Sequence, residues 1–172
     1  SITGGNTTVY NREVQDPEVT VTADGIETLS EEDMTITYLK EVTTGSSAGT
    51  YTEVDECKDA GNYKIRVTGK RNYSGTFDLD YTIQQRNLNE DVEDYRFAIE
   101  PISDQTYTGD AIIPEELKVF EYAYDASTPD DKSNENAVLG EDDYNVTGTN
   151  NIDVTSDTQK AELTIEGKGN YT

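Results

Sequence analysis

The stretch Asp59–Thr76, DAGNYKIRVTGKRNYSGT, contains an alternating segment followed by a turn rich in Gly and Asn. Its apolar residues Tyr63, Ile65 and Val67 are separated by Lys64 and Arg66. Because successive side chains of a β-strand point to opposite faces, this period of two predicts a strand with one buried face. We therefore expect the three apolar side chains to point into a core.

The same pattern returns as KAELTIEGKGNYT at Lys160–Thr172. Here Ala161, Leu163 and Ile165 each lie 98 positions after their counterparts in the first copy, and they keep the same phase. A fixed separation with a conserved phase indicates a tandem repeat of a small β unit. We expect these three side chains to point inward in the second copy.

Other segments also alternate, and none has the 3.6-residue period of a helix. The longest runs from Phe77 to Ile83 and predicts an inward face made of Phe77, Leu79, Tyr81 and Ile83. Asp24-Gly25 follows a shorter alternating segment and is a strong hairpin signal, since Gly accepts the positive φ of such turns. The sequence therefore predicts an all-β protein.

The spacing of these strands predicts two antiparallel β-sandwich modules of about 85 residues, at 1–85 and 86–172. The offset between the copies changes at two insertions, 43–57 in the first copy and 121–137 in the second, which we expect to be surface loops. The second copy reaches Thr172 before any counterpart of the 77–83 segment. We accordingly expect the second module to lack its closing strand and the first to lack its opening segment.

The amino-acid composition excludes several classes of partner and of catalytic site. Of the 172 residues 36 are acidic and 13 are basic, which gives a net charge of −23. Nucleic acids and anionic membranes are therefore unexpected partners, since both bind basic surfaces, and no apolar run has the length of a membrane span. The chain has no histidine, which removes the usual general base and zinc ligand, and the lone Cys57 lies in a polar segment and is interpreted as incidental.

Several short motifs occur in the same order in both copies. The second copy carries Tyr107-Thr108-Gly109, Leu139-Gly140-Glu141-Asp142-Asp143-Tyr144 and Glu166-Gly167-Lys168-Gly169-Asn170-Tyr171-Thr172, and the first carries Tyr10, Pro17, Leu29, Asp59-Ala60-Gly61-Asn62-Tyr63 and Asn72-Tyr73-Ser74-Gly75-Thr76. In this order they resemble the tandem Ig-like repeats of bacterial cell-surface proteins, the modules often called MBG repeats. The chain departs from their pattern at Asn11-Arg12 and at Met34.

The resemblance implies two Ig-like modules in an extracellular, surface- or wall-attached bacterial protein, with no catalytic residues. We expect a non-catalytic stalk or spacer whose partners are neighbouring repeats of the same chain. One alternative is an adhesive module that binds a carbohydrate or a host protein through the insertions 43–57 and 121–137. Another alternative is the accessory Ig-like part of a larger secreted enzyme.

Two sets of residues are candidates for binding. Tyr51, Tyr122 and Tyr124 lie in the insertions, outside the shared pattern, and are candidates for contact with a partner. Asp91, Glu93 and Asp94 lie beside the joint between modules and are weak candidates for a calcium site, since Ca²⁺ prefers carboxylate oxygens. No cofactor is expected otherwise. Tyr73 and Tyr171 recur with the module and are interpreted as structural, in the manner of an Ig tyrosine corner.

Overall fold

The computed structural model describes residues 2–3, 7–23, 27–89, 95–133, 135–156 and 160–172. These residues form thirteen β-strands, one 3₁₀ turn at Gly45–Ser47 and no α-helix, so the predicted all-β class is confirmed. The strands are β1 Ile2–Thr3, β2 Thr7–Val9, β3 Thr20–Ala23, β4 Glu27–Thr28, β5 Met34–Glu41, β6 Tyr51–Val54, β7 Gly61–Gly69, β8 Thr76–Gln84, β9 Tyr95–Ile99, β10 Val119–Ala123, β11 Glu135–Val138, β12 Tyr144–Thr149 and β13 Glu162–Gly167. In the described part of the chain, no helix is long and apolar enough to cross a membrane.

The chain divides into two compact units. Unit 1 is Ser1–Arg86 and unit 2 is Asn87–Thr172. The division lies one residue beyond the boundary that the repeat offset predicts. Each unit is described by itself below.

Unit 1 contains a five-stranded sheet in the order β2-β8-β7-β5-β6 and a three-stranded sheet in the order β1-β3-β4. All pairs in these sheets are antiparallel except β2–β8, which is parallel. The central strand β7 places Ile65 opposite Tyr38 of β5 on one side and opposite Leu79 of β8 on the other. The alternating stretch therefore forms the middle of the larger sheet.

The main core of unit 1 lies on the inward face of β7 and β8. Its buried members are Cys57, Tyr63, Ile65, Tyr81 and Ile83, and Val67 belongs to a second cluster with Val21 and Met34. Ile65 is fully buried, while Lys64 and Arg66 bind carboxylates on the outer face, so the predicted register of β7 is confirmed.

One predicted core residue of unit 1 is not in the core. Phe77 is 53% exposed, although the alternation puts it on the same face as the buried Tyr81 and Ile83. Phe77 pairs with Val67 near the β7–β8 turn. Along β8 the side chains are buried at Tyr81 and Ile83 and become more exposed toward the first residues of the strand. Period two fixes the face of a residue but not whether another element covers it.

Unit 2 repeats the strand pairing of unit 1 with fewer strands. It contains a three-stranded sheet in the order β11-β10-β9 and a two-stranded sheet of β12 and β13. The buried cluster consists of Ala98, Phe120 and Tyr122. Of the side chains predicted to be inward on β13, Leu163 and Ile165 are half-buried, but Ala161 is exposed. Ala161 precedes the first residue of β13 and lies on a face that is open in unit 2.

The turns of the two units share their backbone hydrogen bonds. Four backbone hydrogen bonds of unit 1 have equivalents in unit 2, all with N···O distances of 2.7–3.1 Å. In unit 1 the N–H groups of Leu29, Asp33, Lys70 and Tyr73 donate to the carbonyls of Val21, Ser30, Asp33 and Lys70, in that order. In unit 2 the N–H groups of Leu139, Asp143, Lys168 and Tyr171 donate to the carbonyls of Val119, Gly140, Asp143 and Lys168. The tandem repeat seen in the sequence is thus a repeat of local backbone structure.

The two insertions are more ordered than surface loops. Residues 43–57 contain the 3₁₀ turn and β6, which pairs with β5 from Tyr51 to Val54. Residues 121–137 begin inside β10 and end inside β11, so only the connection between these strands is a loop. The hairpin turn predicted at Asp24-Gly25 lies outside the described residues.

Candidate functional site

Unit 2 has an open groove of about 740 Å³ on the inward face of β13. Leu163 and Ile165 of β13 form its floor, and apolar residues from the segments 99–117 and 151–155 form its walls. Ile99, Tyr107 and Val154 line the groove and are largely exposed. We call this feature the unit 2 groove. The polar residues Asp104, Gln105 and Asp153 also line it, so the groove presents apolar surface beside carboxylate and amide groups.

Sequence reasoning did not identify the wall residues of this groove individually. In unit 1, Tyr81 and Ile83 of β8 belong to the same buried cluster as Tyr63 and Ile65 of β7, whose counterparts in unit 2 are Ala161 and Leu163.

The three tyrosines proposed to contact a partner lie in different settings. Tyr122 is buried beside Phe120, with ring centroids 6.2 Å apart, so it is a core residue of unit 2. Tyr51 is half-buried, with the Lys64 ammonium 5.1 Å from its ring centroid. Tyr124 is half-buried under the Arg96 guanidinium, which lies 4.0 Å from its ring centroid. The structure therefore does not bring the three together into one surface.

The acidic residues of the described turns bind neighbouring groups of their own unit. The Asp33 carboxylate accepts a hydrogen bond from the Ser30 hydroxyl at 2.9 Å, and the Asp143 carboxylate accepts one from the Gly140 N–H at 2.9 Å. Hydrogen bonds from Ser127 lower the pKa of the Asp125 carboxyl. These carboxylates organise turns.

The candidate calcium ligands Asp91, Glu93 and Asp94 lie outside the described residues. Among the residues that the structure describes, no three Cys, Asp or Glu side chains are grouped as metal ligands.

Buried Glu121 is a residue that the sequence did not single out. It lies in β10 between Phe120 and Tyr122, is 1% exposed, and its Oε2 accepts a hydrogen bond from the Asn136 amide at 3.0 Å. Period two predicts an outward position between two inward neighbours, but all of Val119–Tyr122 is buried because both faces of β10 are covered.

The Cys57 thiol is a core group. It is fully buried against Tyr63 and Tyr81, and its backbone N–H donates to Asp16 Oδ1 at 2.9 Å. Burial, together with the smaller effect of the Asp16 carboxylate, raises the pKa of the Cys57 thiol to about 12. A neutral, enclosed thiol is a poor nucleophile.

Unit 1 is expected to lose stability as the pH rises above about 8.5, the pKa of a cysteine in an unfolded chain. Because the folded state raises the Cys57 pKa to about 12, it holds this proton more tightly than the unfolded state does. The free energy of unfolding is therefore highest below about 8.5 and falls as the pH approaches 12. Burial also raises the pKa of Tyr63, which acts in the same direction. Urea unfolding between pH 7 and 11 should show a smaller loss in Cys57→Ala than in the parent chain, and identical profiles would contradict this assignment.

Comparison with known proteins finds no matching family model, no matching curated protein and no matching solved structure. Function is accordingly argued from the geometry of the two units.

Proposed function

We propose that the chain is a non-catalytic stalk or spacer that withstands mechanical tension, made of two Ig-like β-sandwich modules in the extracellular part of a bacterial cell-surface protein. The observation that carries the spacer function is the parallel pairing of β2 with β8 in unit 1, which joins the first strand of the larger sheet to the last strand of the unit. The acidic composition and the ordered motifs of the two copies support the surface location.

The parallel pair determines how unit 1 resists a pull on its ends. Beyond the two-residue pairing of β1 with β3, force enters the larger sheet through the N-terminal end of β2 and leaves through the C-terminal end of β8, so it tries to slide these two strands past each other. Thr7, Thr8 and Val9 pair with Thr82, Ile83 and Gln84, and all of these contacts are loaded together. An antiparallel hairpin pulled at its open end instead loses its bonds one after another.

Side-chain contacts strengthen the same attachment. The Tyr81 hydroxyl lies 2.8 Å from Thr8 Oγ1 and donates to the Gln15 carbonyl at 2.8 Å. The Tyr10 N–H donates to the Gln84 carbonyl at 2.9 Å. The segment that enters unit 1 is thus held to β8 along its length, and β8 is itself paired with β7 over eight residue pairs.

Two features of unit 1 support the Ig-like assignment. The run β8-β7-β5-β6 has the order of the GFCC′ strands in a variable-type Ig sheet. The hydroxyl of Tyr63, at the start of β7, donates to the Asp59 carbonyl at 2.7 Å, which is the bond of an Ig tyrosine corner. Tyr63 was not singled out for this role by the sequence analysis.

The positions of the tyrosines favour the spacer over the adhesive alternative. Tyr122 is buried, and the rings of Tyr51 and Tyr124 each contact a cation of their own unit. A glycan would have to displace Lys64 or Arg96 before it could stack on either ring.

The spacer function predicts that unit 1 is strong when it is pulled end to end. Single-molecule force measurements with handles at its two ends should give an unfolding force several times that measured with handles at positions 60 and 85. Those two positions flank the open end of the β7–β8 hairpin, where Gly61 pairs with Ile83, so the pull peels that hairpin apart.

A matched pair of variants tests the role of the β2–β8 attachment. Thr8→Val keeps the shape of the side chain but removes its hydroxyl contact with Tyr81, and it should lower the end-to-end force. Thr35→Val changes an exposed position on β5, away from this pair, and should not. Equal unfolding forces in the two pulling geometries would reject the spacer proposal.

A further inference from the structure

Unit 1 contains a segment that leaves the smaller sheet, crosses to the larger sheet and returns. Its two ends are tied together, because β1 pairs with β3 through Ile2 opposite Val21 and Thr3 opposite Thr20. We call residues 7–19, which begin with β2 and run to the start of β3, the lid. A loop whose ends lie side by side can swing as one body. The lid can therefore move while the strands that flank it stay paired.

The lid closes over Cys57 and the buried cluster around it. The Gln15 N–H donates to the Cys57 carbonyl at 2.7 Å, and the Cys57 N–H donates to Asp16 Oδ1 at 2.9 Å. Tyr10 and Val19 pack against the same cluster. Cys57 is 0% exposed, so the closed lid helps to exclude solvent from this side chain.

Few interactions hold the lid compared with the strands beside it. β2 pairs with β8 over three residue pairs, whereas β7 pairs with β5 over seven and with β8 over eight. Beyond β2, the Tyr10 N–H donates to the Gln84 carbonyl at 2.9 Å. The Tyr81 hydroxyl donates to the Gln15 carbonyl and lies 2.8 Å from Thr8 Oγ1. A segment with few buried contacts opens at a lower free energy than the core strands.

Two features of the closed lid are unfavourable, and opening relieves both. Arg12 has a φ of 73°, a left-handed backbone conformation in which the Cβ atom of a residue other than glycine crowds the following carbonyl. The side-chain amide nitrogen of Gln15 is buried, and no described residue accepts a hydrogen bond from it. A buried donor without an acceptor is destabilising, and water satisfies it once the segment opens.

We propose that the lid opens as a unit while the sheet of β5, β6, β7 and β8 stays folded, and that opening uncovers the side of the core that contains Cys57 and Tyr81. In the spacer, tension favours the open state, because β2 is the strand through which force reaches the larger sheet. That link to tension rests on the proposed function. The opening itself does not, and it occurs without force.

Chemical labelling of Cys57 in the full chain tests this proposal, because the chain has no other thiol. A maleimide at about pH 8 should label Cys57 at least tenfold faster than the equilibrium for global unfolding allows. The labelling rate should change little at low urea concentrations, since lid opening exposes a small surface and urea dependence scales with exposed surface. Hydrogen exchange at the Gln15 and Cys57 amides should likewise be faster than at Ile65.

Variants of two neighbouring residues of β8 separate lid opening from global unfolding. Tyr81→Phe keeps the ring but removes the hydroxyl contacts with the lid, and it should raise the labelling rate up to about tenfold. Thr82→Val removes a hydroxyl that bonds instead to Asn62 Oδ1 of β7, so labelling should stay unchanged. Gln15→Met removes the buried amide at nearly constant length and should slow labelling several-fold.

Three results would overturn the proposal. They are labelling that follows global unfolding over the whole urea range, equal labelling rates in Tyr81→Phe and Thr82→Val, and no slowing in Gln15→Met. None of these measurements applies force, so their failure leaves the spacer function standing. Rapid labelling together with a weak end-to-end unfolding force would instead reject the spacer and retain the lid.

Discussion

Truncation of Ile65 to alanine is expected to destabilise unit 1 by about 2–5 kcal/mol, the usual range for removing a fully buried Leu or Ile side chain. Ile65 is fully buried between β5 and β8, and its neighbours include Tyr63 and Tyr81. The surrounding sheet is paired on both sides of β7, so it cannot collapse into the space that the side chain leaves. The loss therefore includes a cavity term as well as the transfer of apolar surface.

Leu163→Ala is the matched control, because Leu163 holds the same position 98 residues later. It lines the open groove and is only half-buried, so its truncation leaves no enclosed cavity. We expect a loss of about 1 kcal/mol or less. Hydrogen exchange during urea unfolding reports each unit through its own amides. Similar losses at Ile65 and Leu163 would show that the two inward faces are equally covered and that the groove is closed in solution.

The local pattern of the sequence was sufficient to predict the main strands and the tandem repeat. Alternation identified β7, β8 and β13 with the correct phase, because a half-buried strand imposes its period directly on the order of residues. The repeat offset predicts a boundary after residue 85, and the chain divides into its two compact units after Arg86.

Burial that depends on tertiary contacts was harder to predict from the sequence. Cys57 lies in the polar segment VDECKD but is fully buried, because β6 returns to the sheet before it and Asp16 binds its backbone N–H. Phe77 shows the reverse, an apolar residue in an alternating strand whose inward face is uncovered at that end. Neither result is contained in the residues within a few positions of the side chain.

The hydroxyl of Tyr63 shows a contact that recurrence does not predict. Tyr73 recurs as Tyr171, which is 1% exposed, whereas Tyr63 is replaced by Ala161 in the second copy. The Tyr63 hydroxyl nevertheless donates to the upstream Asp59 carbonyl. This contact depends on the position of Tyr63 at the start of β7, which the spacing of the Tyr residues does not reveal.

Alanine at Gly69, or at its counterpart Gly167, is expected to destabilise the unit that contains it by about 1–3 kcal/mol, as overpacking does. A Cβ atom at Gly69 would lie 2.9 Å from the carbonyl carbon and oxygen of Tyr73. At Gly167 it would lie 2.6 Å from the Thr172 nitrogen. These are backbone atoms, so no side-chain rotation relieves the contact. Neither glycine has a positive φ, and the requirement for glycine is therefore steric.

Gly140→Ala is the control for this pair of variants. The nearest atom to a Cβ there is Asp143 Oδ2 at 3.9 Å, an ordinary van der Waals distance, and the first copy carries Ser30 at the same position. Its effect should stay within about 0.5 kcal/mol. The close contact at Gly69 forms because the Tyr73 N–H donates to the Lys70 carbonyl at 3.0 Å and folds the turn back over the end of β7. Alanine must push this turn away, so hydrogen exchange at Tyr73 should increase in Gly69→Ala, and the amides of unit 2 should not respond. If Gly69→Ala and Gly140→Ala unfold at the same urea concentration, the turn tolerates a side chain and its close packing does not explain why both copies carry glycine.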